Sequence, residues 1–194
     1  SDRIYLYLGE RSCGVSNFVQ RLLTASQTNR SLVCVGLDPN PSLMAIPDLA
    51  TFNRSIVDAT KDLVCAFKPN FAFYEAIGPQ GLSVLKDTVS YIRSKAPQVI
   101  VIGDAKRGDV DSTNIWHAKA LFETWGFDAA TVNVWGGGES LKPFLEYEDK
   151  GILVWCRSSN SGASEFQDLP VLLDGKLKPL YQWVAARAAE WNQR

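Results

Sequence analysis

The sequence predicts an α/β protein of the (β/α)8 barrel type, and three observations carry that reading. Short apolar runs alternate with stretches of helical apolar spacing from residue 31 onward, the rhythm of parallel strands joined by crossover helices. Most of those runs end in polar side chains: Asp38, Lys68, Asp104 with Lys106, Asn133, and Ser158 with Ser159. A barrel gathers its chemistry at the C-terminal ends of its strands, whereas a doubly wound sheet, the second choice, concentrates it at one switch point. The 194 residues, 46% hydrophobic and 21% charged, suffice for one domain with a substantial core.

Taken in order, residues 1–16 hold Tyr5, Leu6, Tyr7 and Leu8 and then a Gly-Glu-Arg-Ser turn, and no role is assigned to them. The domain proper is placed at 17–194, opening on a short amphipathic helix over 17–27. Residues 31–38 form an apolar strand that ends in a carboxylate, and 53–64 have helical spacing. A second strand is expected over 66–73 and a second helix over 81–95, with Leu82, Leu85, Val89 and Ile92 on one face. The third strand, 99–106, is apolar almost throughout, as a strand buried on both faces should be. A helix over 112–125, a strand over 129–134, a short helix over 140–147, a strand over 151–159 and a last helix over 176–192 complete the pattern. About five β/α units are found where a closed barrel has eight. The expectation is therefore a C-terminally incomplete barrel with open sheet edges.

Composition narrows the function. A net charge of −1 gives no electrostatic case for nucleic acid or an anionic membrane, and no apolar run approaches the ~18 residues of a membrane span. The N-terminal residues lack the order of a secretory signal. The four cysteines, Cys13, Cys34, Cys65 and Cys156, are scattered and form no C-x-x-C pair, so free thiols in a reducing cytoplasm are expected.

The most informative stretch is Asp104-Ala105-Lys106-Arg107-Gly108-Asp109. It follows the apolar third strand, so two carboxylates and an ammonium stand at one rim. On an extended backbone Asp104 and Lys106, two apart, point to the same side. Lys68 ends the preceding strand in the same manner. Burying such charges is expensive unless they are paired or used. Duller roles are assigned elsewhere: Arg107 to a structural or interface ion pair, His117 to packing or surface, Gly136-Gly137-Gly138 to a flexible loop, and the six tryptophans mainly to core and interface packing.

These residues resemble the orotidine 5′-phosphate decarboxylase family. The resemblance rests on Phe67-Lys68-Pro69 and on Asp104-x-Lys106-Arg107-x-Asp109 with Thr113, supported by Val35-Gly36-Leu37-Asp38-Pro39 and Ser158-Ser159-Asn160-Ser161-Gly162-Ala163. It runs from about Asn17 to the end of the chain. Two departures stand out. Asn133-Val134-Trp135-Gly136 replaces the common Asn-Pro-Tyr-x-Gly, and Ser161 stands where proline is common. Nothing matches the family's last strands, which carry the glycine-rich and arginine contacts to the substrate phosphate.

The resemblance implies removal of CO2 from C6 of orotidine 5′-monophosphate (OMP) to give UMP, without metal or organic cofactor. It makes Lys106 the group that stabilises and then protonates the C6 carbanion. Asp104 would stand beside the leaving carboxylate, Lys68 would bridge Asp104 and the ribose, and Asp38 would take ribose hydroxyls. Asp109 and Thr113 would reach the neighbouring subunit's site, which implies a homodimer. Ser159 would bond the pyrimidine edge, and Gln167 would belong to the loop that closes over substrate. Two alternatives stay open: a Mg2+-dependent sugar-phosphate decarboxylase or aldolase of the same barrel group, which tends to carry an acid where this chain has Lys68, and a non-catalytic fragment that needs further chain.

Overall fold

Five parallel strands lie side by side in the order in which the chain makes them: β1 (Cys34–Leu37), β2 (Ala66–Pro69), β3 (Ile100–Arg107), β4 (Ala129–Val132) and β5 (Gly151–Val154). That unbroken order, with a helix in each crossover, is the winding of a barrel; a doubly wound sheet would reverse it. The computed structural model describes residues 17–173 and 175–192. The expected segment 1–16 lies outside the described residues. Five units of a (β/α)8 barrel are present, as the periodicity implies.

The helices start where the sequence offers caps. The Asn17 side chain accepts from Gln20 N at 2.9 Å to open α1 (Phe18–Asn29), and Asp48 accepts from Thr51 N at 2.8 Å to open α2 (Leu49–Thr60). Asn70 caps the single-turn α3 (Phe71–Glu75), so β2 ends at Pro69 and not at residue 73. Pro79 begins α4 (Pro79–Lys95), at a position where its missing N–H costs nothing. α5 (Asp111–Lys119) runs into a π-turn over Ala120–Thr124, and α6 (Lys142–Leu145) follows a short 3-10 turn.

One expectation fails. The segment 176–192 is not a single helix. Lys176–Pro179 is a strand (β7) paired antiparallel with Pro170–Leu173 (β6), and α7 starts only at Leu180. Gly175, with φ of 73°, turns the chain between the two strands. Strands β1 and β5 are also shorter than expected, because the pairing stops before Asp38 and Trp155 and leaves their polar sequels as loops.

Strand parity divides the interior. Phe67 and Val101 point outward into a core shared with the helices, where Val57, Tyr74, Leu85, Ile92, Phe127 and Phe144 are fully buried. Ala66, Ile100 and Ile102 point inward onto Phe18 and Ala25 of α1, which covers the inner face near the N-terminal ends of the strands. Close packing fixes Gly103: a Cβ there would lie 2.7 Å from the Phe127 ring. The outer layer is tied to the site end by a buried polar chain. Asn53 Nδ2 donates to Thr88 Oγ1 at 2.9 Å and to Tyr74 Oη at 3.1 Å, and Tyr74 Oη donates to Leu37 O at 3.1 Å, one residue before Asp38. Burial pushes the Tyr74 phenol up, which keeps it a donor.

At the opposite end Asp128, 2% exposed, receives Arg21 at 2.5 Å, Arg93 at 2.7 Å and the Val101 N–H at 2.8 Å. Arg107 pairs with Glu75 and lies over the Phe71 ring, the structural role expected of it. Of the tryptophans, Trp125 packs edge-on against Phe71, whereas Trp116 and Trp135 are 69% and 85% exposed and belong to no core.

Candidate active site

The inward parity that places Ile100 and Ile102 over α1 continues to Asp104, and that of Ala66 continues to Lys68. Both charged groups therefore emerge at the C-terminal rim, above an apolar floor. Lys68 Nζ lies 2.6 Å from Asp104 Oδ2, and Lys106 Nζ lies 2.6 Å from Asp104 Oδ1. Asp104 is 6% exposed, while the lysine side chains keep 27% and 39% of their surface open. One buried carboxylate is thus clamped by two ammonium groups that open onto solvent. The two lysines face each other across it.

Lys106 reaches this position by an unexpected route. It does not continue the extended strand, having a φ of 47°, a left-handed conformation rare for a non-glycine residue. The strand register shifts between Gly103 and Arg107, so the lysine sits on a bulge. A further group went unread in the sequence. The Thr131 hydroxyl of β4 donates to Asp104 Oδ1 at 2.8 Å. No local signal marks Thr131, whose threonine is ordinary in a strand; only the β3–β4 register brings it there.

Burial pushes the Asp104 carboxyl up, but hydrogen bonds from Lys106, Lys68 and Thr131 together outweigh it and hold the group below the usual carboxylate range. Burial pulls the Lys68 ammonium down, and the Asp104 hydrogen bond and charge, aided by Asp38, more than reverse this. Asp38, just beyond β1, is held above its ordinary value by desolvation. Lys68, Lys106 and a hydrogen bond from Asn70 oppose that shift, while the Asp104 charge reinforces it. The rim thus alternates in sign, Asp38, Lys68, Asp104, Lys106, along the ends of the first three strands.

The remaining expected residues stand apart from this cluster within the chain. Asp109 is exposed on the loop after β3. Its carboxylate accepts from Val110 N at 2.7 Å, and among the described residues nothing pairs it with Lys68 or Lys106. Thr113 is half-buried in the first turn of α5. Ser159 is exposed, and its neighbour Ser158 is the engaged serine: Ser158 N donates to Gln167 Oε1 at 2.7 Å, and Gln167 Nε2 donates to Ser158 Oγ at 3.2 Å. Gln167 therefore closes the base of its own loop.

Known proteins resemble this chain in sequence and in fold. Residues 31–191 match the model of the orotidine 5′-phosphate decarboxylase / HUMPS family. An orotidine 5′-phosphate decarboxylase of Thermomicrobium roseum is 48% identical over 184 residues, 92% of this chain and 64% of the relative. One from Dehalococcoides mccartyi is 44% identical over 177 residues, 91% and 64% of the two chains. The solved OMP decarboxylase of Leishmania donovani superposes with a TM-score of 0.79 at 32% identity, over 91% of this chain and 66% of that one. The chain thus spans 64% of the length of the two curated relatives. With the charged rim, the barrel winding and these similarities in place, the chain belongs to the orotidine 5′-phosphate decarboxylase / HUMPS family.

Proposed function

We propose that the chain acts in decarboxylating OMP to UMP, the last step to UMP in pyrimidine biosynthesis. The observation that carries this is the clamp of Lys68 and Lys106 on Asp104, both at 2.6 Å. Loss of CO2 leaves the electron pair of the broken bond on C6. An ammonium already fixed beside that carbon stabilises the developing charge without reorganisation. Lys106 then gives a proton from Nζ to C6, forming the C–H bond, and regains one from solvent. Asp104 holds the Lys106 ammonium in place and stands against the leaving carboxylate. Lys68 links Asp104 to the ribose, whose hydroxyls Asp38 takes. Ser159 meets the pyrimidine edge, and Gln167 serves the closing loop.

A homodimer with shared sites belongs to this reading. Asp109 and Thr113 share their segment with the exposed apolar side chains Val110, Ile115 and Trp116, 61%, 54% and 69% exposed. Exposed apolar side chains next to a carboxylate outside the Asp104 cluster suit a second copy. Free Cys34, Cys65 and Cys156 suit a reducing compartment. The Mg2+-dependent alternative is not favoured, since two ammonium groups occupy both oxygens of Asp104, where a cation would be repelled.

The experiment is OMP turnover by this chain and by its Lys106→Ala variant. Turnover that vanishes in the variant supports the reading, and near-normal turnover in it ends the reading. If the unaltered chain is silent, UMP binding restored in a longer form would assign it the role of a fragment. Mixing Asp109→Asn and Lys106→Ala protomers tests the shared site: partial activity is expected in heterodimers, and none would argue against sharing.

A further inference from the structure

Strands β3 and β4 pair at Ile102–Ala129 and Gly103–Ala130 and resume at Arg107–Val132. Between those points Asp104, Ala105 and Lys106 on β3 face the single residue Thr131 on β4. The excess is taken up at Lys106, in its left-handed conformation. Side chains from the β4 side hold both of its backbone groups. Its N–H donates to Thr131 Oγ1 at 2.9 Å, and its C=O accepts from Asn133 Nδ2 at 3.2 Å. The Thr131 hydroxyl, accepting from that amide, directs its one hydrogen to Asp104 Oδ1 at 2.8 Å.

We propose that Thr131 is the positioning residue of this site, a single hydroxyl that ties the Lys106 backbone and the Asp104 carboxylate to β4 and so aims the Lys106 ammonium. The chemistry requires both halves of that bond. A methyl group in place of the hydroxyl leaves the Lys106 amide unpartnered on a strained residue and removes a donor from Asp104. Asn133 supports the same peptide from its other end. The charged groups facing Asp104 are Lys68 from β2, Lys106 from β3 and Asp38 after β1; β4 contributes this neutral hydroxyl. The inference rests on the proposed function only in what the aimed ammonium is for.

The test compares Thr131→Val, which keeps the shape, with Thr131→Ser, which keeps the hydroxyl, and uses Thr131→Ala as a second deletion should the valine variant not fold. Two readouts need no substrate: hydrogen exchange at the Lys106 amide and 13C titration of the Asp104 carboxyl. Faster exchange and a higher titration point are expected in the deletions, with values close to those of the unaltered chain in Thr131→Ser. Where OMP is turned over, kcat should fall on the order of 10²-fold in the deletions with KM changed far less, because misplacing a catalytic group by about 1 Å costs that much. Unchanged exchange and titration in the deletions, or a serine variant as impaired as they are, would overturn the proposal. Silence of the unaltered chain toward OMP counts against the proposed function alone, since exchange and titration report without it.

Discussion

Lys68 and Lys106 come from neighbouring strands and hold opposite oxygens of the same carboxylate, that of Asp104, at equal distances of 2.6 Å. Two cations hold this one anion, and Asp38 beside Lys68 brings the rim to charge balance. Removing either lysine leaves two carboxylates to one ammonium, a rim that repels an acidic substrate. Lys68→Ala is expected to fold and to lose most affinity for UMP as well as turnover. Titration with the nucleotide at low and high salt checks this, and retention of normal affinity would contradict it.

The clamp also sets a pH dependence. The Asp104 carboxyl is held below its ordinary value in the folded chain, so it contributes stability that is fully present above the unfolded carboxylate range near 4. That contribution disappears as pH falls through the lower, folded value. Lys68 is held above its ordinary value, so its contribution is present below the unfolded lysine range and is lost as pH rises through the folded value. Urea midpoints measured from pH 6 down to pH 3 should decline more steeply for the unaltered chain than for Asp104→Asn. Parallel slopes would show that Asp104 does not carry the linkage.

How much of this was legible beforehand follows from how local each determinant is. The strands were readable because apolar runs alternate with helical spacing, but their faces were not: β3 is apolar on both, and only the structure sets Phe67 and Val101 outward and Ile100 and Ile102 inward. Lys68 and Lys106 were readable as members of one charged cluster because a charge at the end of an apolar strand is costly unless paired. Thr131 was not, since its role depends on a bulge that no dipeptide of β3 announces. The hairpin of β6 and β7 was missed for a similar reason. Leu177 and its neighbours continue the apolar spacing of α7, and only Gly175 and Pro179 mark the break. Gln167 reads from the sequence as a loop residue free to meet substrate, but Ser158, nine residues away, already engages it.

The loop after β5 is fastened twice at its base, and this too can be tested. Beside the Ser158–Gln167 contacts, Arg157 Nε and Nη2 donate to Asp168 Oδ1 and Oδ2, both at 2.8 Å, and the guanidinium lies over the Tyr181 ring. A bidentate pair fixes direction as well as distance. Arg157→Ala should leave the overall fold intact and free the segment between. Limited proteolysis should then cut within 158–167 faster than in the unaltered chain, and Arg157→Lys should protect only partly, since an ammonium cannot make the planar fork. Equal cleavage rates in all three would mean that the Ser158–Gln167 contacts suffice alone.

The far end of the strands offers the sharpest stability test. Asp128, 2% exposed, is the common acceptor for Arg21, Arg93 and the Val101 amide, and so joins α1, α4 and β3 to the start of β4. Removing it leaves two guanidinium groups and a buried N–H without their anion. Breaking a buried ion pair on one side costs about 3 kcal/mol or more, although the arginines, 30% and 34% exposed, recover part of this by hydration. Asp128→Ala is expected to unfold at clearly lower urea than the unaltered chain. Asp128→Asn, which keeps an acceptor for one arginine or for Val101 but not the charge, should fall between the two. The proposed nucleotide site lies at the other end of the strands, so UMP affinity per folded molecule should be unchanged in both variants. A fall in affinity without a fall in stability would show that the two ends are coupled.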